Sequence, residues 1–205
     1  NAQGLEEQLS QLCAATDKPW NVNFFCHTSP APDPEGEQRW LETLQPFYEE
    51  FAADTSAIPR GPSRQPFDKD SATVLEQFRP AVVSFHYGLP EAALLERVKA
   101  TGARVLSSAT TVEEAIWLAE HGADAVIAQG LEAGGHRGHF LSDDLSLQQG
   151  TFSLLPQICD AISLPVIAAG GIGSPAGVRA ARELGSSAVQ VGTAYLLCPE
   201  ATTKA

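Results

Sequence analysis

A strand-length apolar run, a polar or glycine-bearing loop and an amphipathic helix recur in that order along this chain, and the repeat confines it to parallel α/β architectures. The unit is plainest in the second half. Ala81-Val-Val-Ser-Phe-His86 precedes a helix pattern over Pro90–Ala100, which Gly102 ends. Arg104-Val-Leu-Ser107 leads to a helix opened by Thr111 and Glu114 at capping-box spacing and closed by Gly122. Asp124-Ala-Val-Ile-Ala-Gln129 runs into a glycine-rich loop, then a helix around Phe152–Ile162 and the strand Leu164-Pro-Val-Ile-Ala-Ala169. Ser174 and Pro175 suit the N-cap and first position of the next helix, Gly185 ends it, and Ala188-Val-Gln-Val191 is the last strand. The strands read as apolar nearly throughout, as both faces of a covered parallel sheet require.

Ahead of these stand a helix over Leu5–Ala15 and the strand Trp20-Asn-Val-Asn-Phe-Phe25. The pattern loosens from Thr28 to Pro80, where prolines gather and two helices are expected, around Arg39–Ala53 and Ser71–Phe78. No Gly/Ser linker isolates this stretch, so 28–80 reads as an elaborated connection inside one domain of residues 1–205. The total is six parallel strands, against eight in a closed (β/α) barrel of the TIM type. The chain opens on a helix and ends at Thr203-Lys-Ala205, where a further helix is due. Phosphates in such barrels sit on the loops after strands seven and eight. The glycine loops after Ala169 and Val191 follow the last two strands, so the expectation is a barrel lacking its first two strands and its C-terminal helices.

Composition is that of a globular protein, with 43% apolar and 19% charged residues. Twenty-five acidic against 13 basic residues give a net charge of −12, which repels nucleic acid and anionic lipid. No apolar run reaches the ~20 residues of a membrane span, and the polar start, with Glu6 and Glu7, does not resemble a signal peptide. Cys13, Cys26, Cys159 and Cys198 are scattered, without metal-ligand spacing, and read as free thiols of a cytoplasmic protein rather than two bridges.

Three loops could carry chemistry. Gln129-Gly-Leu-Glu-Ala-Gly-Gly-His-Arg-Gly138 leaves a buried strand with four glycines, which lets backbone approach a planar or anionic ligand. His136 among them can act as base or hydrogen-bond donor. A flexible surface loop is the competing reading, and Arg137 either attracts an anion or is simply solvated. Ala168-Ala-Gly-Gly-Ile-Gly-Ser-Pro175 joins a strand to a capped helix, a phosphate seat at Gly170 and Gly171 or merely a tight turn. Its Gly171-x-Gly173-x-x-Ala176 string is a weak dinucleotide signal, with no acidic residue suitably placed to hold a ribose. Gln190-Val-Gly-Thr193 offers a second turn for the same phosphate. Asn23 lies in an apolar strand and Gln129 at a strand end, each either paired structurally or facing a cofactor. His27 and His86 follow strands and read as structural or solvent-facing.

Together these stretches resemble bacterial class I nitronate monooxygenases, formerly called 2-nitropropane dioxygenases. The most specific element is Glu132-Ala-Gly-Gly-His-Arg-Gly138, supported by Val22-Asn-Phe-Phe-Cys-His27, Val83-Ser-Phe-His-Tyr-Gly88, Ala168-Ala-Gly-Gly-Ile-Gly173 and Gln190-Val-Gly-Thr193. The resemblance implies an FMN barrel that uses O₂, without a metal, to convert alkyl nitronates such as propionate 3-nitronate to a carbonyl compound and nitrite. It implies that His136 is catalytic and that Asn23, Gln129, Gly134, Gly171, Gln190, Val191, Gly192 and Thr193 hold FMN. It also implies an Ala-Pro-Met-type strand before Asn1, and leaves room for a homodimer. Two other readings stay open: an NAD(P)H-fed FMN reductase of enoyl thioesters or quinones, and a silent or phosphate-binding module.

Overall fold

The computed structural model describes residues 2–55, 58 and 65–202; the expected break at Thr203-Lys-Ala205 lies outside them. Its described elements run α1 (Ala2–Ala15), β1 (Asn21–Phe25), α2 (Pro34–Glu50), α3 (Lys69–Phe78), β2 (Val82–His86), α4 (Ala92–Ala100), β3 (Arg104–Ala109), α5 (Val112–Glu120), β4 (Ala125–Gln129), α6 (Thr151–Ala161), β5 (Val166–Ala169), α7 (Pro175–Glu183) and β6 (Ala188–Gln190). The six strands form one sheet in the order β1-β2-β3-β4-β5-β6, every neighbouring pair parallel. Sequential parallel order with helical crossovers is the wall of a TIM-type barrel, of which six strands are present against eight in a closed one.

Contacts group the chain into two compact units: residues 1–27 with 67–205, and Thr28–Pro66. The larger unit carries the sheet. The smaller holds α2, which Asp33 caps by accepting from the Gly36 amide at 2.9 Å, with Pro34 at its start. α3 belongs with the sheet-bearing unit, packed against both α1 and α4.

Local chemistry sets the helix ends. Asp68, Thr111 and Ser174 cap α3, α5 and α7 through their side-chain oxygens. Gly102, Gly122 and Gly185 follow α4, α5 and α7 at φ of 91°, 102° and 102°, left-handed geometry that stops a helix. The helix-facing side of the sheet feeds two apolar clusters. Val83, Phe85 and Val105 pack with Leu75, Leu94 and Val98; Val126, Ala128 and Ala168 pack with Leu118, Leu154, Leu155 and Ile158.

The other side of the sheet corrects the expectation of strands apolar on both faces. Asn21, Asn23, Ser84, His86, Ser108, Gln129 and Gln190 all line a cavity there. The period-2 alternation is real, but short strands with apolar flanks hide it in the sequence.

Candidate active site

The cavity has a volume of about 670 Å³, within the range of small-ligand and cofactor sites. It opens at the carboxyl ends of the strands, where barrel active sites form. Phe25, His86, Gln129, Ala169 and Gln190, the last residues of five strands, line it, with the loops that follow β4, β5 and β6. Asn23, Gln129, Gly134, His136, Gly171, Gln190, Val191, Gly192 and Thr193 therefore all face one space.

On the wall formed by β1 and β2, the Asn21 amide donates to the Ser84 hydroxyl at 2.9 Å, and that hydroxyl donates to Asn23 Oδ1 at 2.9 Å. With its oxygen engaged, Asn23 presents Nδ2–H as the group left for a ligand. Gln129 is bonded at both ends of its amide. Nε2 donates to the His136 carbonyl at 2.8 Å, and Oε1 accepts from the Gly138 amide at 2.8 Å. Its second Nε2 hydrogen remains for the cavity.

The loop bearing His136 is held at many points and is not a flexible surface loop. Arg137 donates to the carbonyls of Gly130 at 2.7 Å and Leu131 at 2.9 Å, which gives the guanidinium a structural use that the sequence left open. Glu132 accepts from the Thr151 amide at 2.7 Å and hydroxyl at 2.8 Å, tying the loop to the start of α6. Partial burial works to raise the Glu132 pKa, but the bonds from Thr151 and the Arg137 charge outweigh it, and the pKa falls below its usual 4.5. Further along, Glu114 Oε1 accepts from the amides of Phe140 and Leu141 at 2.7 and 3.3 Å. The His136 ring lies 5.1 Å from the Phe25 ring at 61°.

The two glycine turns complete the site. Gly170 and Gly171 adopt φ of 120° and 68°, a conformation that side chains disfavour, immediately before the capped start of α7. Gly192 begins the short 3₁₀ turn Thr193–Leu197 after β6. The histidine loop and this second turn approach so closely that a Cβ on Gly134 would stand 2.8 Å from Thr193 Oγ1. Backbone amides at a helix start beside glycines suit a phosphate, and amide-bearing walls suit a polar ring system. The residues present thus fit FMN.

Sequence reasoning missed Glu114 and Glu132 as anchors and set His86 aside. His86 is 9% exposed, with Nδ1 3.0 Å from Ser108 Oγ and Nε2 2.9 Å from the His136 carbonyl. Burial is the main cause that lowers its pKa below the ordinary 6.5. Only its place at a strand end hinted at the site. His27, by contrast, leaves a buried Nδ1 without a partner. Among the described residues, no group of three or more His, Cys, Asp and Glu is placed to hold a metal, and no helix is long and apolar enough to cross a membrane.

Comparison with known proteins finds that the nitronate monooxygenase family model matches residues 1–205. A nitronate monooxygenase of Pseudomonas aeruginosa is 47% identical over 198 residues, covering 96% of this chain and 56% of that protein. Among solved structures, a nitroalkane oxidase from Streptomyces ansochromogenes superposes with a TM-score of 0.82 at 33% identity, over 96% of this chain and 56% of its own. A FabK mutant from Thermotoga maritima follows at 0.71 and 28%, over 98% and 52%. The chain spans about half the length of the curated relatives it matches.

Proposed function

The chain belongs to the nitronate monooxygenase family, and from that premise we propose that it binds FMN and oxidises alkyl nitronates such as propionate 3-nitronate with O₂, yielding a carbonyl compound and nitrite. The observation that carries the reading is the meeting of His136 with both glycine turns at one polar cavity. FMN supplies the electron acceptor for the nitronate carbon when bound. The Gly170–Gly171 turn and Gln190 through Thr193 hold its phosphate through backbone amides and a hydroxyl. Gly134 lets the histidine loop close against that turn, while Asn23 and Gln129 offer N–H donors to the ring edge.

His136 faces the substrate. Its ring hydrogen-bonds the anionic nitro oxygens, or takes the carbon-bound proton where a neutral nitroalkane enters. Phe25 packs beside the ring and restricts its swing. The proposed partners are a small nitronate and O₂, with the protein in the cytoplasm and no role for nucleic acid.

The test is turnover of propionate 3-nitronate by FMN-loaded protein. His136→Asn is expected to remain yellow and to lose about 10²-fold or more in kcat, the usual weight of one acid–base group. Full turnover in that variant refutes the role of His136. Rapid anaerobic bleaching by NADH would favour the reductase reading instead.

A further inference from the structure

His86 closes β2 with both ring nitrogens engaged, Nδ1 by Ser108 of β3 and Nε2 by the backbone carbonyl of His136. A carbonyl only accepts, so Nε2 carries the proton and donates. In the neutral ring Nδ1 is bare and accepts from the Ser108 hydroxyl. A neutral imidazole satisfies both partners at once. The same carbonyl receives a second donor, Gln129 Nε2 of β4, at 2.8 Å. One bond would leave the peptide free to swing about it. Two donors from strands on either side of β3 fix the peptide plane.

The fit around His86 is equally close. A Cβ on Gly138 would lie 2.6 Å from His86 Cε1, and one on Gly88 would lie 3.1 Å from the Phe140 ring. Segments His86–Gly88 and Gly138–Phe140 thus pack closely against each other. Ser107 Oγ donates to the Gly88 carbonyl at 2.8 Å and so braces the first of them.

We infer that His86 is a positioning residue: held by Ser108 as the neutral Nε2–H tautomer, it fixes the peptide that follows His136 and so the direction in which the His136 ring enters the cavity. The consequence for turnover rests on the function proposed above; the hydrogen bond itself does not.

Histidine–arginine occurs once in the chain, at His136-Arg137. Labelling with carbonyl-¹³C histidine and ¹⁵N arginine therefore isolates the one carbonyl concerned by NMR, without FMN or substrate. His86→Leu is expected to shift that carbonyl signal and to lower kcat on propionate 3-nitronate about 100-fold, since displacement by an ångström suffices for such a loss. His86→Gln, whose Nε2–H reaches to a similar point, is expected to recover most of both. An unshifted carbonyl in the leucine variant, an unchanged kcat, or a glutamine variant no better than leucine overturns the inference.

The unsubstituted chain gives a reading that no misfolded variant can obscure. Its ¹⁵N-labelled His86 ring should show a protonated Nε2 and a bare Nδ1 at pH 7. The reverse tautomer or a doubly protonated ring overturns the assignment. No turnover of propionate 3-nitronate by the FMN-loaded parent chain would instead remove the proposed function, and the carbonyl measurement would keep its answer.

Discussion

Gly135 and Gly138 stand three residues apart in one loop, yet a methyl group would meet different surroundings at each. Nothing lies within 4 Å of a Cβ on Gly135, whereas one on Gly138 meets the His86 ring at 2.6 Å. That ring is pinned at both nitrogens and cannot turn aside cheaply. Gly138→Ala is therefore expected to cost about 1–3 kcal/mol by overpacking, which for a chain of this size lowers the melting temperature by several degrees. Gly135→Ala should melt within about a degree of the parent; equal losses in the two would mean that the loop does not rest on His86. That His136 lines the cavity was legible in the sequence, because a histidine among glycines at a strand end has little structural use. Arg137 was not. Its partners are the carbonyls of Gly130 and Leu131, and nothing in sequence spacing distinguishes that fold-back from solvation.

At the scale of elements, helix and strand positions followed from caps and apolar runs to within about three residues, except that α2 starts at Pro34 behind its Asp33 cap, five residues before the expected Arg39. The capping box expected at the start of α5 is only half there. Thr111 Oγ1 accepts from the Glu114 amide at 3.2 Å, but the Glu114 carboxylate turns to the Thr110 amide and hydroxyl at 2.7 and 2.8 Å and to the histidine loop. Sequence spacing could suggest a cap; it could not show that the same carboxylate reaches 26 residues onward. At 1% exposure, Glu114 joins β3, α5 and the loop in one hydrogen-bonded knot of four donors. Glu114→Gln replaces one acceptor oxygen with a donor that faces other donors. A loss of about 2–4 kcal/mol is expected in urea unfolding, with the slope unchanged. A midpoint equal to that of the parent would show that the knot contributes nothing to stability.

For the whole molecule, strand order was legible because each strand pairs with its sequence neighbour, as consecutive strands commonly do. The polar cavity face was not, and through His86 and Glu132 that face contributes to the pH dependence of stability. His86 has its folded pKa below 6.5, so the unfolded chain binds a proton first as pH falls, and stability declines from about pH 6.5 downward. Asp68 and Glu132, also depressed, stabilise the fold above their ordinary values of 3.8 and 4.5 and withdraw that support at lower pH. On the alkaline side, burial pushes the Cys26 thiol from 9.0 up to about 12. Its neutral form is favoured in the fold, so the contribution is whole below pH 9 and is lost as pH rises towards 12. Each pH unit above 9 removes at most about 1.4 kcal/mol from this thiol. Stability should therefore form a plateau between about pH 6.5 and 9, with a shoulder on each side. Thermal melts from pH 5 to 10.5 measure it: Cys26→Ala should flatten the alkaline shoulder, and His86→Gln the first acidic one. An alanine variant whose melting temperature falls in parallel with the parent above pH 9 would assign the alkaline loss to other groups.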